Sequence, residues 1–321
     1  MAFKLPLPVP KGLWRRTPPA VFPSVLGLFG LGLAWRRGAA EFGLPAELAE
    51  VLLGAIALLG AFALLAYAVK VLRRAAVAGE DLRTLPGRGG LAAGVLAVYL
   101  LSVTLDPYAH GLAEGILALG AVLHVALIAL VLRLFAAGPP DQARVSPVWH
   151  LIFVGPIVAT VALATLGFRE IAGVVPLFTF PIAVVIWGIS LWQFVREVPP
   201  APLRPLLAMH LAPVALHGQA AVLLDQPVIA VSFAIAAALL MAALVFGARW
   251  LTVAGFSPFW GAFTFPLAAT GGLWVGIGGV WRIPGGIALV AATLIVPWIA
   301  LRILKMWASG ALALKSNAAT A

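Results

Sequence analysis

Cysteine is absent from the 321 residues, and only 10% of the residues carry a charge. Without cysteine, the chain can form no disulfide, no thiolate metal site and no cysteine nucleophile. By contrast, 63% of the residues are hydrophobic and the mean hydropathy is +1.09. A soluble fold cannot hide so much apolar surface, because the buried fraction saturates at domain size. The composition therefore predicts a polytopic protein of the lipid bilayer.

Polar clusters divide the chain into apolar stretches of membrane-spanning length, which is about 20 residues for a helix. Ten such stretches predict an all-α protein with ten transmembrane helices: residues 19–35, 46–69, 91–106, 108–132, 148–166, 171–195, 205–224, 227–247, 257–279 and 284–304. We expect a single transmembrane domain, 1–321. It includes a cytoplasmic N-terminal segment, 1–18, and a cytoplasmic C-terminal tail, 306–321.

The basic residues predict the orientation of these spans. Of the 21 Lys and Arg residues, 17 lie at the termini or after even-numbered spans, and the other four are Arg36, Arg37, Arg169 and Arg282. Cytoplasmic loops carry an excess of basic residues, so both termini are predicted in the cytoplasm of a multi-pass protein of the inner (plasma) membrane. The net charge of +10 therefore reflects topology, and no nucleic-acid partner is expected.

A weak repeat groups the spans in pairs. The odd-numbered spans open near Pro19, Gly90, Pro147, Pro205 and Pro258, and each is followed by a short outer turn, a second span and a basic inner end. Repeats at such spacing are common in transport proteins. Because every unit enters from the same side, we predict five helical hairpins in a quasi-five-fold arrangement around a central pore.

Prolines interrupt mainly the odd-numbered spans, at Pro23, Pro156, Pro213 and Pro266. An internal proline frees a carbonyl, which is tolerated at membrane depth where protein or water satisfies it. This pattern predicts that kinked odd-numbered helices line the pore and smoother even-numbered helices surround them. The alternative is that prolines are simply frequent in membrane helices.

No acidic or basic residue lies in the middle of a predicted span. Coupled carriers usually keep such a residue there to bind a proton or a sodium ion. Its absence favours a conduit that binds its ion weakly, as rapid release from a channel requires. The Gly-rich segment 79–90 lacks the setting of a phosphate cradle and is expected to be a solvated connection.

Histidine is the one remaining ionisable type. His210 and His217 are seven residues apart and are predicted on one helical face as possible pore histidines. The alternative is that both are neutral and hydrogen-bonded between helices. We expect His124 and His150 to be structural. No histidine set suits haem, and no serine and histidine meet an acidic partner. We therefore expect no cofactor, no metal and no enzymatic activity.

Three stretches resemble one known family. PPAVFPSVLGLFGLGLAW (18–35), HLAPVA (210–215) and FWGAFTFPLAA (259–269) resemble its first, seventh and ninth helices. This is the tellurite-resistance and dicarboxylate transporter family, which includes bacterial TehA and is related to the slow-type anion channel of plant guard cells. Ten helices in five hairpins, with both ends inside, are also the architecture of that family.

The resemblance implies a homotrimer in which each protomer has its own pore, lined by the five odd-numbered helices. It also implies that Phe265, immediately before Pro266, plugs this pore as the ninth-helix phenylalanine does in family members. Phe263 lies two positions earlier and points roughly 200° around the helix, so the two rings cannot both face the lumen.

The resemblance places further small, apolar or proline positions on the pore lining or at helix kinks: Phe22, Gly27, Gly94, Pro156, Pro213 and Pro266. The third span departs from the pattern because it has no proline, so any kink there is expected at Gly94.

Together these features predict an anion channel, or a channel-like uniporter, that passes small anions. The alternative is a proton-coupled transporter or exporter of dicarboxylate, sulfite or tellurite-type oxyanions, with His210 or His217 coupling the proton. A membrane redox or biosynthetic enzyme is a third class, for which the residues offer little support.

Overall fold

The computed structural model describes residues 12–321, which form only helices and their connections. The first eleven residues of the predicted N-terminal segment lie outside this part. Eight helices within it are long and apolar enough to cross a membrane: Pro19–Phe42, Ala46–Arg73, Leu85–Leu105, His110–Ala137, Arg169–Arg196, Ala201–Leu223, Pro227–Phe246 and Gly279–Ala308. The chain is therefore an all-α, multi-pass membrane protein.

We number the α-helices in chain order, without the 3₁₀ and π turns that precede some of them. They are α1 Phe22–Phe42, α2 Ala46–Arg73, α3 Ala76–Arg83, α4 Leu85–Leu105, α5 His110–Ala137, α6 Ile157–Thr165, α7 Arg169–Arg196, α8 Leu211–Leu223, α9 Pro227–Phe246, α10 Ala248–Leu251, α11 Gly261–Ile277, α12 Arg282–Ala308 and α13 Ala311–Lys315.

The long helices fall into a buried group and an exposed group. In the spans that contain α1, α4 and α8, 78% of the most apolar stretch is buried. In those of α2, α5, α7, α9 and α12, the buried share is only 17–39%. Apolar helices that leave most of their surface uncovered are suited to hydrocarbon, so the second group forms the surface that faces lipid.

Helix packing joins the buried group with α6 and α11. Helix α1 packs against α4 and α11, α4 packs against α6, and α8 packs against α6 and α11. Each of these five helices also packs against the next long helix along the chain, which is α2, α5, α7, α9 or α12. Sequential antiparallel helices joined by short turns therefore make up the protein.

The predicted spans 148–166 and 257–279 are the two that form shorter helices than expected. The first consists of a π-helical turn, His150–Val154, followed by α6, and Pro156 lies at the junction. Proline has no backbone N–H, so a regular hydrogen-bond ladder cannot continue through this position. The second consists of a 3₁₀ turn, Pro258–Trp260, followed by the 17 residues of α11.

The segment 79–90 differs from the solvated connection that we expect from its glycines. Helix α3 and the first turns of α4 occupy most of it, and Asp81 is completely buried. Arg88 is also buried, and its guanidinium donates to the carbonyls of Leu82 and Gln142. A charge is rarely buried without partners, so this segment is held by specific contacts.

A buried ion pair between α2 and α3 supplies those contacts. Lys70 Nζ lies 2.7 Å from Asp81 Oδ2, and both side chains are fully buried. Lys70 also donates to the carbonyl of Thr17, and Tyr67 donates its hydroxyl to Asp81. The backbone N–H of Ala319 completes the set by donating to Asp81 Oδ1 at 2.8 Å. The predicted cytoplasmic tail is thus folded against α2 and α3.

Replacing Asp81 by Asn should lower the free energy of unfolding by about 3–5 kcal/mol, because it leaves the Lys70 charge buried without its counter-charge. Thermal or denaturant unfolding of the protein in detergent measures this change. Glu80→Gln is the matched control. Its carboxylate is partly exposed, and a hydrogen bond from Arg74 lowers its pKa. This change should alter stability by less than about 1 kcal/mol. Equal effects of the two substitutions would contradict the assignment.

Candidate functional site

Helices α1 and α11 approach each other closely through glycines. A Cβ at Gly27 would collide with the side chain of Thr264, and a Cβ at Gly30 would lie 2.9 Å from Cδ2 of Phe265. Thr264 also donates its hydroxyl to the carbonyl of Pro23 at 3.0 Å. Small residues allow such close backbone approach in membrane helices. Gly30 therefore provides the surface on which the ring of Phe265 rests.

The side chain of Phe265 is 5% exposed and lies at the wall of a cavity of about 180 Å³. All five central helices contribute to this cavity, which we call the outer cavity. Its lining residues are Gly30, Leu33, Ala34, Arg36, Arg37, Leu100, Val103, Val161, Thr165, Leu216, Gln219, Leu223, Phe265, Ala269 and Gly272.

A second and much smaller cavity, of about 20 Å³, lies toward the other ends of the same helices. We call it the inner cavity. It is lined by Ala20, Pro23, Leu85, Pro86, Gly89, Gly90, Val148, Leu206, Met209, Pro258, Phe259 and Ala262. A cavity needs roughly 10–15 Å³ to hold one water molecule, so this cavity has room for about one. The space between the helices is therefore narrow here.

Phe265 lines the outer cavity at the end of α11 that is nearer the inner cavity. Ala262 lines the inner cavity, and Phe265 and Ala269 line the outer cavity. Three residues of an α-helix rise roughly 4.5 Å, so the two spaces are about one helical turn apart at this position. Of the two phenylalanines in that turn, Phe265 lines the outer cavity and Phe263 lines neither.

Two arginines line the outer cavity in different electrostatic states. Arg36 forms an ion pair with Glu50, at 2.6 Å and 2.7 Å, and donates to the carbonyl of Val103. Arg37 instead donates through Nη1 to Gln219 Oε1 at 2.9 Å. No acidic residue lines the cavity in the described part of the chain. Arg37 therefore contributes an uncompensated positive charge.

The first predicted span ended at residue 35, which assigned Arg36 and Arg37 to an outer loop. Helix α1 continues to Phe42, so both arginines belong to the helix, and their side chains line the outer cavity. Gln219 lies outside the predicted pore lining as well. A polar amide within an otherwise apolar span was the signal available for it in the sequence.

Helix beginnings surround the inner cavity. Pro23 belongs to the first turn of α1, Pro86 and Gly89 to the first turns of α4, and Ala262 to the first turn of α11. The N-terminal end of a helix carries a partial positive charge of roughly half an elementary charge. Both cavities therefore present positive electrostatic potential.

His210 does not line either of these cavities. Its Nδ1 lies 2.9 Å from Nε2 of His150, and Trp187 donates its indole N–H to the His210 carbonyl at 3.2 Å. His210 instead lines a wider cavity of about 420 Å³, beside the ends of α3 and α7. His150 is buried, as its expected structural role requires.

His217 points toward the peripheral helices α7 and α9. Its Nδ1 donates to the carbonyl of Pro213 at 2.7 Å, and its Nε2 lies 3.2 Å from the hydroxyl of Thr179 on α7. His210 is the residue immediately before α8 and has right-handed helical backbone angles, so the chain from His210 to His217 is helical throughout. Seven residues are about two turns, so the two rings lie roughly 10 Å apart along the helix and form different hydrogen bonds.

Phe22 and Gly94 meet each other between α1 and α4. A Cβ at Gly94 would lie 3.1 Å from Cδ2 of Phe22, and the Phe22 ring contacts Tyr67 of α2 edge to face. Helix α4 runs without interruption through Gly94. The small side chain therefore makes room for the aromatic ring.

The three prolines affect different carbonyls. Pro156 cannot donate to the carbonyl of Ile152, and the buried His124 bonds this oxygen at 2.8 Å through Nε2. His124 is thus structural, as expected. By the same rule, Pro213 and Pro266 remove the helical donors of the carbonyls four residues earlier. Those residues, Met209 and Ala262, both line the inner cavity.

Eight apolar helices of membrane-spanning length around a buried helical centre are typical of membrane transport proteins. The family described as voltage-dependent anion channel, SLAC1, matches residues 16–308. The chain therefore belongs to this family, as its resemblance to TehA and the plant anion channels predicted, and membership implies anion transport. A search of the curated proteins found no match to the chain.

A double-mutant cycle should detect the contact between Gly30 and Phe265. Gly30→Ala adds a methyl group against the ring and should reduce stability by about 1–3 kcal/mol in the wild-type background. The loss should almost vanish in a Phe265→Ala background, because the ring is gone. Gly54→Ala on α2 is the control, since a Cβ there meets nothing within 4 Å. Equal losses from Gly30→Ala in both backgrounds would contradict the contact.

Proposed function

We propose that the chain is an anion channel, or a channel-like uniporter, with one pore in each protomer. In this proposal the ten predicted helices form five hairpins. Eight of them are the long apolar helices, and the other two are the spans that contain the shorter helices α6 and α11. Helices α1, α4, α6, α8 and α11 surround the pore with quasi-five-fold symmetry. Their successive packing around a closed circuit supports this arrangement.

One observation carries the proposal: Phe265 lines the outer cavity one helical turn beyond Ala262, which lines the inner cavity, and each cavity is lined by all five central segments. A ring across an apolar passage blocks ions because it excludes the water that hydrates them. Phe265 is therefore the proposed gate. Opening requires its side chain to move away from Gly30, and Pro266 next to it influences the backbone that carries the ring.

The electrostatics of both cavities support anions over cations. Helix N-termini face the inner cavity, and the Arg37 guanidinium lies at the outer cavity without an acidic partner. The Arg36 charge is neutralised by Glu50. Anions are favoured near a helix N-terminus by typically 0.3–1 kcal/mol, so the inner end attracts its ion weakly. Weak attraction permits rapid release.

Substituting Phe265 by Ala should raise anion current through the purified protein in a planar bilayer, since the bulky group between the cavities is removed. Phe263→Ala is the matched control, because this half-buried ring contacts Trp260 and lines neither cavity. It should leave the current close to the wild-type level. An unchanged current in the Phe265 variant would count against the gate.

A second candidate is proton-coupled export of dicarboxylate, sulfite or tellurite-type oxyanions. The contact between His150 and His210 favours it, because two histidines at 2.9 Å can exchange a proton. Flux of sulfite into proteoliposomes against its gradient, driven by a pH difference, would support coupling. Passive flux that is unaffected by His210→Gln would support the channel.

We further propose that the protein is a homotrimer in the inner membrane, with both termini in the cytoplasm. The distribution of basic residues supports the orientation, and the resemblance to TehA supports the trimer. Light scattering from the detergent-solubilised protein measures the assembly. A monomer mass would contradict the trimer and leave the pore within the protomer unaffected.

A further inference from the structure

We propose that Arg37 and Gln219 form a binding site for one small, singly charged anion in the outer cavity, immediately beyond Phe265. This inference rests on the proposed anion pathway. It adds a binding site for the ion and a selectivity for its charge. The site was not apparent from the sequence, because Arg37 was assigned to an outer loop.

The guanidinium of Arg37 is held in position by a chain of hydrogen bonds. Its Nη1 donates to Gln219 Oε1 at 2.9 Å, and Gln219 Nε2 donates to the carbonyl of Ala269 at 2.7 Å. Ala269 lies one turn beyond Phe265 on α11. Gln219 is thereby fixed with its oxygen toward Arg37, and the arginine is oriented against the same helix that carries the ring.

Glycines on α11 leave room for this arrangement. A Cβ at Gly272 would lie 3.4 Å from Gln219 Nε2, and a Cβ at Gly276 would lie 3.9 Å from Arg37 Nη1. The arginine therefore lies against a part of α11 that has no side chains in its way. An arginine has five N–H donors, and the Gln219 bond uses one of them in the described part of the chain. The remaining donors are available to an anion.

The surrounding charges leave Arg37 as the source of the positive potential. Glu50 is paired with Arg36, and Glu41, one turn beyond Arg37 on α1, lies 3.6 Å from Arg282. The other polar group on the cavity wall, Thr165, donates its hydroxyl to the carbonyl of Val161. The cavity therefore contains one net positive charge and walls that are otherwise mainly apolar.

The size and charge of the cavity define the ligand. A volume of about 180 Å³ is many times the roughly 10–15 Å³ that one water molecule requires, so a chloride or nitrate ion fits with part of its hydration shell. One anionic charge neutralises the guanidinium. A dianion such as sulfate would leave a net negative charge against apolar walls, which is unfavourable. The site therefore selects singly charged anions.

Line broadening of the ³⁵Cl NMR signal by the detergent-solubilised protein measures chloride binding directly. Arg37→Gln should weaken this binding by roughly 10- to 100-fold, since a hydrogen-bonded charge is removed. Arg37→Lys keeps the charge without the planar donor group and should bind with intermediate strength. Arg169→Gln is the control, because it removes an exposed arginine paired with Asp225.

Competition on the wild-type protein tests the charge of the ligand. Nitrate should displace chloride at lower concentrations than sulfate does. Unchanged broadening in Arg37→Gln would overturn the site, provided that size-exclusion chromatography shows an intact assembly. Chloride binding to Arg37→Lys that is no stronger than to Arg37→Gln would also overturn it. Displacement by sulfate at equal or lower concentrations would overturn the single-charge selectivity.

The binding measurement is independent of ion flow, so it separates this site from the gate. Normal chloride binding combined with a Phe265→Ala variant that carries no additional current would contradict the gate and leave the site intact. Increased current in Phe265→Ala, with chloride binding unaffected by Arg37→Gln, would keep the gate and reject the site.

Discussion

The close contact between α1 and α11 is the interaction on which the central region depends. Gly27 admits Thr264 and Gly30 admits the ring of Phe265, so two helices at opposite ends of the chain approach without intervening side chains. The hydroxyl of Thr264 bonds a carbonyl of α1 within this contact. In lipid, where association gains little from the hydrophobic effect, such packing and hydrogen bonding supply the attraction. The position of Phe265 follows from this contact.

Much of the fold could be predicted because bilayers impose strong rules. Hydrophobic length, loop charge and the uneven distribution of proline separate central from peripheral helices, and the burial of the long helices follows that division. Local irregularity was harder to predict. The π turn before Pro156 and the 3₁₀ helix Ala201–His210 both depend on tertiary contacts. Asp81 lies in a segment whose glycines indicate exposure, and its bonds to Lys70, Tyr67 and Ala319 explain its burial.

The candidate site was predicted in part. Phe265 was found because a proline follows it and because neighbouring residues resemble a known family, and these signals are local. Arg37 was missed because its role depends on how far α1 extends beyond residue 35 and on the position of Gln219, 182 residues away. For His217, periodicity alone could not distinguish a lumen-facing group from one that bonds Thr179 of a peripheral helix. The role of a polar residue therefore depends on contacts between helices that are distant in sequence, and the pattern within one span does not reveal it.

The bond between Ala319 and Asp81 has a consequence for assembly during synthesis. The two residues are separated by 238 positions, so the carboxylate is in place long before its backbone donor is made. Lys70 and Tyr67 are nearby in sequence and can engage Asp81 early. Asp81 thus acquires this hydrogen bond only after residue 319 has been synthesised.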